Sequence, residues 1–160
     1  LLNEHGSAYA CVKDYVCEMI DDYEDKGEFT EFGKKLMQHL GYTDLQEFKK
    51  LFYRHSKDEV ASSSKFFYEE AKKGDKEAQK WLYHNGEMLA DNALDAIRHL
   101  KMSKRVVIGF RGGFASNVHY VQEGVIDTLK KNGIEPIVVK GDLDPIYGSF
   151  YMAKRKGALC

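Results

Sequence analysis

The tract Arg-Val-Val-Ile-Gly-Phe-Arg-Gly-Gly-Phe-Ala-Ser-Asn at residues 105–117 decides the fold class of this chain. It opens with a short apolar run of β-branched residues, which favours a buried strand. Gly112 and Gly113 predict a tight turn, and Ser116 with Asn117 predicts a helix start because both residue types cap helix N-termini. Strand, glycine turn and helix in this order is a layout with which α/β proteins present backbone amides to a ligand.

The sequence after this tract predicts one βαβ unit. Apolar residues at helical spacing predict a helix that Ser116 caps and that ends at Asn132 and Gly133. Residues 135–140 (Glu-Pro-Ile-Val-Val-Lys) predict a second strand, and Pro145 predicts the start of a last helix that reaches about residue 156. Two strands joined by a helix are expected to be parallel, with a right-handed crossover.

The first two-thirds of the chain predict helices almost throughout. Apolar residues follow a helical period over residues 7–23, and the acidic stretch at residues 21–28 predicts a loop. Thr30 predicts the N-cap of a second helix, which Gly41 ends.

Three further polar residues predict helix starts. Thr43 with Gln46, and Ser56 with Glu59, are capping-box patterns that open helices reaching residues 53 and 73. Asp75 predicts the N-cap of a helix of about 27 residues, roughly 40 Å long.

The predicted sheet is too small for the helices around it. A parallel pair of strands is normally covered on both faces within a larger sheet, and two strands cannot support five or six helices. We therefore expect a single domain over residues 1–160 whose sheet takes further strands from upstream sequence or a partner chain. Exposed sheet edges also predict self-association into a homo-oligomer.

Composition excludes several functional classes. Apolar residues make up 43% of the chain, charged residues 31%, and the net charge is −1. These values predict no nucleic-acid partner and no membrane association. The three cysteines form no CxxC pair, which predicts reduced thiols and a cytoplasmic protein.

Few residues carry a chemical signature of their own. The six histidines include no HExxH motif and no cluster with cysteine, so no metal site is predicted. The glycine pair is neither a GxGxxG motif nor a P-loop. It could allow close approach to a nucleotide because neither glycine carries a Cβ, or it could be a plain tight turn.

Five segments in order resemble the N-acetylglucosamine kinases and the related BadF-type ATPases. Residues 1–9 (Leu-Leu-Asn-Glu-His-Gly-Ser-Ala-Tyr) are similar to the Gly-Asp-Glu-Gly-Ser-Ala-Tyr segment of that family, and residues 105–117 are similar to its adenosine-motif strand and turn. The other three segments are Glu59-Val-Ala with Gly74-Asp75, Gly86-Glu-Met-Leu-Ala, and Pro145-Ile-Tyr-Gly-Ser-Phe.

The resemblance implies a fold and an activity. The family belongs to the sugar kinase and actin superfamily, whose members bind ATP between two ribonuclease H-like lobes. This chain would be the C-terminal lobe, helix-rich and with an incomplete sheet, and the N-terminal lobe with the catalytic aspartate would lie upstream. The activity implied is transfer of a phosphoryl group from ATP with Mg²⁺ to an amino sugar such as N-acetylglucosamine. The isolated chain is expected to be inactive.

The resemblance also implies a nucleotide site. The glycine turn would lie against the adenosine, and a helix start after Glu59 would line the other side of the base. The residues implied are Gly112, Gly113, Phe114, Ser116, Asn117, Ala61 and Ser62.

The sugar side would involve Glu4, Gly6 and Ser7. Here the chain departs from the family, because Asn3 replaces its leading glycine and Glu4-His5 replace its Asp-Glu pair. The family carboxylate contributes to binding sugar hydroxyls, so this departure leaves the identity of the sugar open.

Three functions therefore remain as hypotheses. The first is the ATP-binding lobe of a sugar kinase. The second is the ATPase activator of a radical dehydratase, which would need cysteines for a bridging iron–sulfur cluster. The third is a non-catalytic module that senses a sugar or nucleotide or mediates an interaction.

Overall fold

The computed structural model describes residues 5–140 and 146–155, and these form a helix-rich α/β fold with a small parallel sheet. The elements in chain order are α1 (Ala8–Lys26), α2 (Glu31–His39), α3 (Leu45–Phe48), α4 (Leu51–Arg54), α5 (Lys57–Ser62), α6 (Ser64–Lys72), α7 (Lys76–His99), β1 (Arg105–Gly109), α8 (Gly113–Asn117), α9 (His119–Lys131), β2 (Glu135–Val139) and α10 (Ile146–Arg155).

Three predicted N-caps are confirmed. The Thr30 hydroxyl accepts a hydrogen bond from the Gly33 amide, and Asp75 accepts from two amides at the start of α7. Ser56 and Glu59 form the full capping box, in which each side chain bonds the backbone amide of the other residue. The short-range polar pattern is sufficient here because both partners of each cap lie within four residues.

Several details of the helical region were wrong, including the single helix predicted to reach residue 53, which is two short helices, α3 and α4. The cap of α3 is Asp44 and not Thr43, because the Asp44 carboxylate accepts from the Glu47 amide at 2.8 Å. The helix predicted from residue 56 is interrupted at Ser63, whose amide bonds the Val60 carbonyl in a tight i→i−3 turn. The predicted acidic loop is mostly helical, since α1 continues to Lys26 and is capped by Gly27, whose φ is 76°.

The two strands are parallel, as predicted. Register pairs Arg105 with Glu135 and Gly109 with Val139. Both strands are shorter than predicted, so Arg111 and Lys140 lie just beyond their carboxyl ends. Helix α10 begins at Ile146, and Pro145, the predicted start of this helix, lies outside the described residues.

Two hydrophobic clusters make up the core, and α7 contributes to both. The first contains buried residues of α1, α2, α5 and α6 with Ala78 and Leu82 of α7. The second joins Ala90, Leu94 and Ile97 of α7 to the strand β1 and the helix α9. Helix α7 therefore connects the helical part of the chain to its sheet.

Helices α7 and α9 touch through a pair of glycines. A Cβ on Gly86 would overlap the Val121 carbonyl oxygen and lie 2.9 Å from the Gly124 Cα. A Cβ on Gly124 would overlap the Tyr83 carbonyl oxygen. The absence of both side chains allows backbone-to-backbone contact at this crossing.

Substitution of Gly86 by alanine should therefore destabilise the fold despite the higher helix propensity of alanine. We expect a loss of about 1–3 kcal/mol in the free energy of unfolding, because backbone atoms must move apart. Urea denaturation measures this value. The control is Gly109→Ala, where a Cβ meets the nearest atom, the Val139 carbonyl oxygen, at an ordinary 3.7 Å. Equal stability of Gly86→Ala and wild type would contradict the packing described.

An ion-pair network around Glu70 ties α6 to α2 and to the start of α7. The Glu70 carboxylate accepts from Lys73 at 2.6 Å and lies 3.4 Å from Lys35, which also contacts Asp75 at 3.0 Å. The hydrogen bond from Lys73 holds the pKa of Glu70 below its usual range, although burial opposes this effect. The ionised carboxylate therefore stabilises the folded state.

The stabilisation by Glu70 should depend on pH. Because the folded-state pKa is lowered, the contribution is present above the unfolded pKa of about 4.3 and is lost as pH falls through the folded value. We expect Glu70→Gln to lower the free energy of unfolding by up to about 1 kcal/mol at neutral pH and by less in acid. Urea denaturation of wild type and Glu70→Gln, at neutral pH and again at acid pH, measures the loss of unfolding free energy under each condition. The control is Asp95→Asn, which removes an exposed pair with Arg98. An equal loss at both pH values would argue against an electrostatic origin.

Candidate functional site

The glycine turn after β1 has a backbone conformation that suits glycine. Gly112 has φ 86° and ψ 150°, a region that side-chain-bearing residues almost never occupy. Gly113 begins α8, and a Cβ there would meet no atom within 4 Å. Both glycines are exposed. Conformation therefore requires a glycine at 112 but not at 113.

Side-chain hydrogen bonds to backbone carbonyls hold this turn. The Ser116 hydroxyl donates to the Phe110 carbonyl at 3.0 Å, and the Asn117 amide donates to the Gly113 carbonyl at 2.8 Å. The Gln122 amide donates to the Ala115 and Ser116 carbonyls, both at 2.9 Å. The backbone of the turn is thus braced from within α8 and from the first turns of α9.

The prediction that Ser116 caps the helix after the turn was wrong. Ser116 lies within the short helix α8, and its hydroxyl bonds backward to the residue after β1. Helix α9 begins at His119, and the preceding Val118 makes no side-chain cap hydrogen bond. The bend at Val118, with φ −104° and ψ 99°, splits the predicted helix in two.

The two segments predicted to surround a nucleotide base meet at one cavity of about 470 Å³, here called the central cavity. Ala61 and Ser62, at the end of α5, line it together with Gly113, Phe114 and Asn117. These segments are about 50 residues apart in sequence, so the fold and not local sequence brings them together. The volume lies within the range of small-molecule pockets. Gly112 adjoins this wall in sequence, and Ser116 lines a different cleft.

Helix α6 supplies polar residues of the central cavity that the sequence analysis missed. Lys65, Tyr68 and Glu69 line the cavity beside the predicted residues. The Tyr68 hydroxyl lies 3.2 Å from His119 Nδ1, which fixes the ring relative to α9. Lys65, Tyr68 and Glu69 lie on one face of α6 by their i, i+3 and i, i+4 spacing, but the same spacing occurs on ordinary solvent-exposed helices.

A second cleft of about 390 Å³ lies where both strands end, and we call it the strand-end cleft. Arg111 and Lys140 line it from the two strand ends, and Asn117 lines both this cleft and the central cavity. The remaining lining residues are Phe110, Ser116, Gln122, Val138 and Val139.

The structure describes two of the three residues predicted on the sugar side, Gly6 and Ser7. Ser7 lines a third cavity of about 380 Å³ with His5, Tyr9 and Lys57, and Ala61 belongs to both this cavity and the central cavity. Ser7 also caps α1 through a hydrogen bond from the Ala10 amide.

Gly6 has a packing role next to this third cavity. It has φ 75°, and a Cβ there would overlap the Leu89 side chain. Glu4 lies outside the described residues.

The cysteines of α1 do not form a reactive pair. Cys11 is buried and Cys17 is exposed, so they occupy different faces of the helix. Burial is the main cause that raises the pKa of both thiols. Each is therefore a neutral thiol near neutral pH, in which state it is a poor nucleophile and a poor metal ligand.

Residues 5–140 and 146–155, which the structure describes, contain neither a metal-ligand cluster nor a membrane-spanning helix. In these ranges no three His, Cys, Asp or Glu side chains come together in a way that could hold a metal ion. No helix there has the length and apolar character needed to cross a bilayer.

No protein-family model matches this chain, and no curated protein matches it either.

Replacement of Gly112 by alanine should strain the turn. The observed φ and ψ are outside the regions allowed to alanine, which costs about 1–3 kcal/mol of stability or forces the turn to a new shape. Thermal or urea denaturation measures the loss. Gly113→Ala is the matched control, since it adds the same methyl group at the neighbouring residue, where a Cβ would meet no atom within 4 Å. If the two variants were equally stable, the backbone conformation of Gly112 would not be a constraint.

Proposed function

We propose that this chain is the nucleotide-binding lobe of an ATP-dependent sugar kinase that phosphorylates an amino sugar such as N-acetylglucosamine. The fold would be the C-terminal ribonuclease H-like lobe of the actin-like superfamily. One observation carries the proposal: Ala61 and Ser62 face Gly113, Phe114 and Asn117 across a single cavity. The motif resemblance assigned these two segments to opposite sides of one adenine base.

The proposed roles follow from the chemistry of the cavity wall. Gly112 and Gly113 expose backbone without side chains, which allows the flat face of a base to approach closely. Ala61 and Phe114 offer apolar contact. Ser62 lies at the cavity edge with its hydroxyl donating to the Glu59 carbonyl at 2.6 Å. Lys65 and Glu69 from α6 would supply the polar contacts that orient a nucleoside.

The sugar would bind near Ser7, at the cavity that adjoins the central cavity through Ala8 and Ala61. His5 lines this cavity where the similar family has an acid. An imidazole presents at least one N–H donor where a carboxylate presents only acceptors, so the hydroxyl pattern recognised would differ. Glu4 and Gly6 complete the proposed sugar side.

Mg²⁺ and the catalytic aspartate would come mainly from outside this lobe. The described residues bring together no set of ligands for a metal, and Mg²⁺ usually binds through one or two carboxylates plus substrate phosphates. Bound Mg²⁺ would neutralise charge on the transferred phosphoryl group. This chain would contribute by holding the nucleoside end of ATP in position.

A non-catalytic sensor or interaction module is the second candidate. The Asn3-Glu4-His5 departure favours it, because a sensor needs only binding. The dehydratase activator has less support, since Cys11 and Cys17 occupy different faces of α1. Under either leading proposal we place the protein in the cytoplasm, without nucleic-acid or membrane partners, and associated with a second copy or with an N-terminal lobe.

Adenosine and Mg-ATP should raise the melting temperature of this chain, because a ligand that binds only the folded state stabilises it by about 2.7 kcal/mol at one hundred times its Kd. Ala61→Leu should abolish the shift by filling the cavity. The control is Ala96→Leu, the same exchange at an exposed position of α7. Calorimetric titration gives the affinities.

The outcome also separates the candidate functions. Adenosine binding that Ala61→Leu removes, without phosphotransfer by the isolated chain, supports the kinase lobe. Binding of N-acetylglucosamine without any nucleotide effect favours the sensor. The proposal fails if neither adenosine nor Mg-ATP binds, or if Ala61→Leu and Ala96→Leu bind equally well.

A further inference from the structure

The strand-end cleft is a second candidate binding site, separate from the central cavity. Phe110 and Arg111 directly follow β1, while Val138 and Val139 end β2 and Lys140 follows it. Ligands of open parallel sheets bind in the crevice outside the carboxyl ends of the strands. The cleft therefore occupies the end of the sheet at which such folds place their ligands.

Two cations from neighbouring strand ends line this cleft. Gly109 pairs with Val139 in the sheet, so the chain segments that continue to Arg111 and Lys140 start about 5 Å apart. Among the described residues that line the cleft, none is acidic. A guanidinium offers a planar set of donors that matches phosphate oxygens, and an ammonium adds a compact positive charge. The pair is suited to a phosphate group.

The neutral polar residues of the cleft offer acceptors. Ser116, Asn117 and Gln122 each donate to backbone carbonyls of the turn, which fixes their positions. Their side-chain oxygens can accept hydrogen bonds from hydroxyl groups. The side chains of Phe110, Val138 and Val139 form an apolar part of the cleft wall. This combination fits an organic phosphate with hydroxyl groups better than a bare ion.

We propose that the strand-end cleft binds the phosphate group of a small organic phosphate, with Arg111 and Lys140 as the phosphate-binding side chains. Both side chains also interact with other groups, so the phosphate would join existing contacts. The phosphate could belong to a nucleotide whose base occupies the central cavity, because Asn117 lines both spaces. It could equally belong to a separate metabolite. The phosphate site itself does not depend on the kinase proposal.

The test uses the 160-residue chain with three probes: inorganic phosphate, adenosine and ADP. Calorimetric titrations at constant ionic strength compare wild type with Arg111→Gln, Lys140→Gln and the double variant. We expect each single variant to weaken phosphate binding about tenfold and the double variant to abolish it, while adenosine binding is unchanged. Lys104→Gln is the control, because it removes an exposed cation at the opposite, amino end of β1.

The ADP titration distinguishes the two sources of phosphate. A weakened ADP affinity in the double variant, with adenosine unaffected, assigns the cleft to the nucleotide's own phosphates. If the double variant loses phosphate binding but keeps its ADP affinity, the cleft is assigned to a phosphate ligand other than the nucleotide. Either result supports a phosphate site. Failure of adenosine to bind would count against the kinase proposal and leave this one standing.

Two further measurements keep the proposal falsifiable if a glutamine variant folds poorly. Arg111→Lys retains the charge and should bind phosphate more tightly than Arg111→Gln but less tightly than wild type, because the planar donor set is lost. In wild type, saturating phosphate should shift the nuclear magnetic resonances of the Asn117 and Gln122 side-chain amides. The proposal is overturned if those resonances do not move, if neither phosphate nor ADP distinguishes wild type from the double variant, or if Lys104→Gln weakens binding equally.

Discussion

The close approach of α7 and α9 at Gly86 and Gly124 is the contact on which the candidate site depends. Val118 and Val121, at the start of α9, belong to the helical cluster, whereas Val125 and Leu129 belong to the cluster under the sheet. Helix α9 thus spans both halves of the core while it rests on α7. A side chain at either glycine would overlap backbone atoms of the other helix and push the two helices apart.

That contact fixes the position of the glycine turn. The turn lies between β1 and α9, so its location is determined by how β1 and α9 are packed. With α9 held against α7, Phe114 packs on the helical cluster and Gly113 faces the end of α5. The central cavity is therefore a consequence of helix packing some distance away. Its two walls have no direct sequence connection.

Local features of the fold were predictable from the sequence. The Ser56–Glu59 capping box, the Asp75 cap and the β-branched run of β1 each depend on residues within a few positions of one another. The Val118 bend was not predictable, because a regular apolar period continues across it while the backbone leaves the helical region. The Gly86–Gly124 contact was also missed, since it joins residues far apart in sequence.

Some residues of the candidate site were predictable from the sequence, and others were not. The glycine turn stood out as a local pattern, and the motif resemblance supplied Ala61 and Ser62. Lys65, Tyr68 and Glu69 were missed because single polar residues on an exposed helical face look the same whether or not a cavity lies beside them. The strand-end cleft was missed because it forms only when the ends of two strands lie side by side.

The small sheet leaves apolar surface that a folded domain usually covers. Val107 is 61% exposed and Val139 is 44% exposed, and alternation along paired strands places both on one face. Helix α10 is amphipathic, yet its large apolar side chains are also exposed: Ile146, Tyr147, Phe150, Tyr151 and Met152. A parallel pair is normally covered on both faces, so this surface is consistent with the expected partner lobe or second copy.

The two glycines of the turn help to distinguish a ligand-facing turn from a plain one. A plain turn explains Gly112, because its φ and ψ demand glycine. It does not explain Gly113, where the backbone allows a side chain and a Cβ would meet no atom within 4 Å. Gly113 instead lines the central cavity, opposite Ala61 and Ser62. A glycine at this position leaves the backbone of the turn accessible from the cavity.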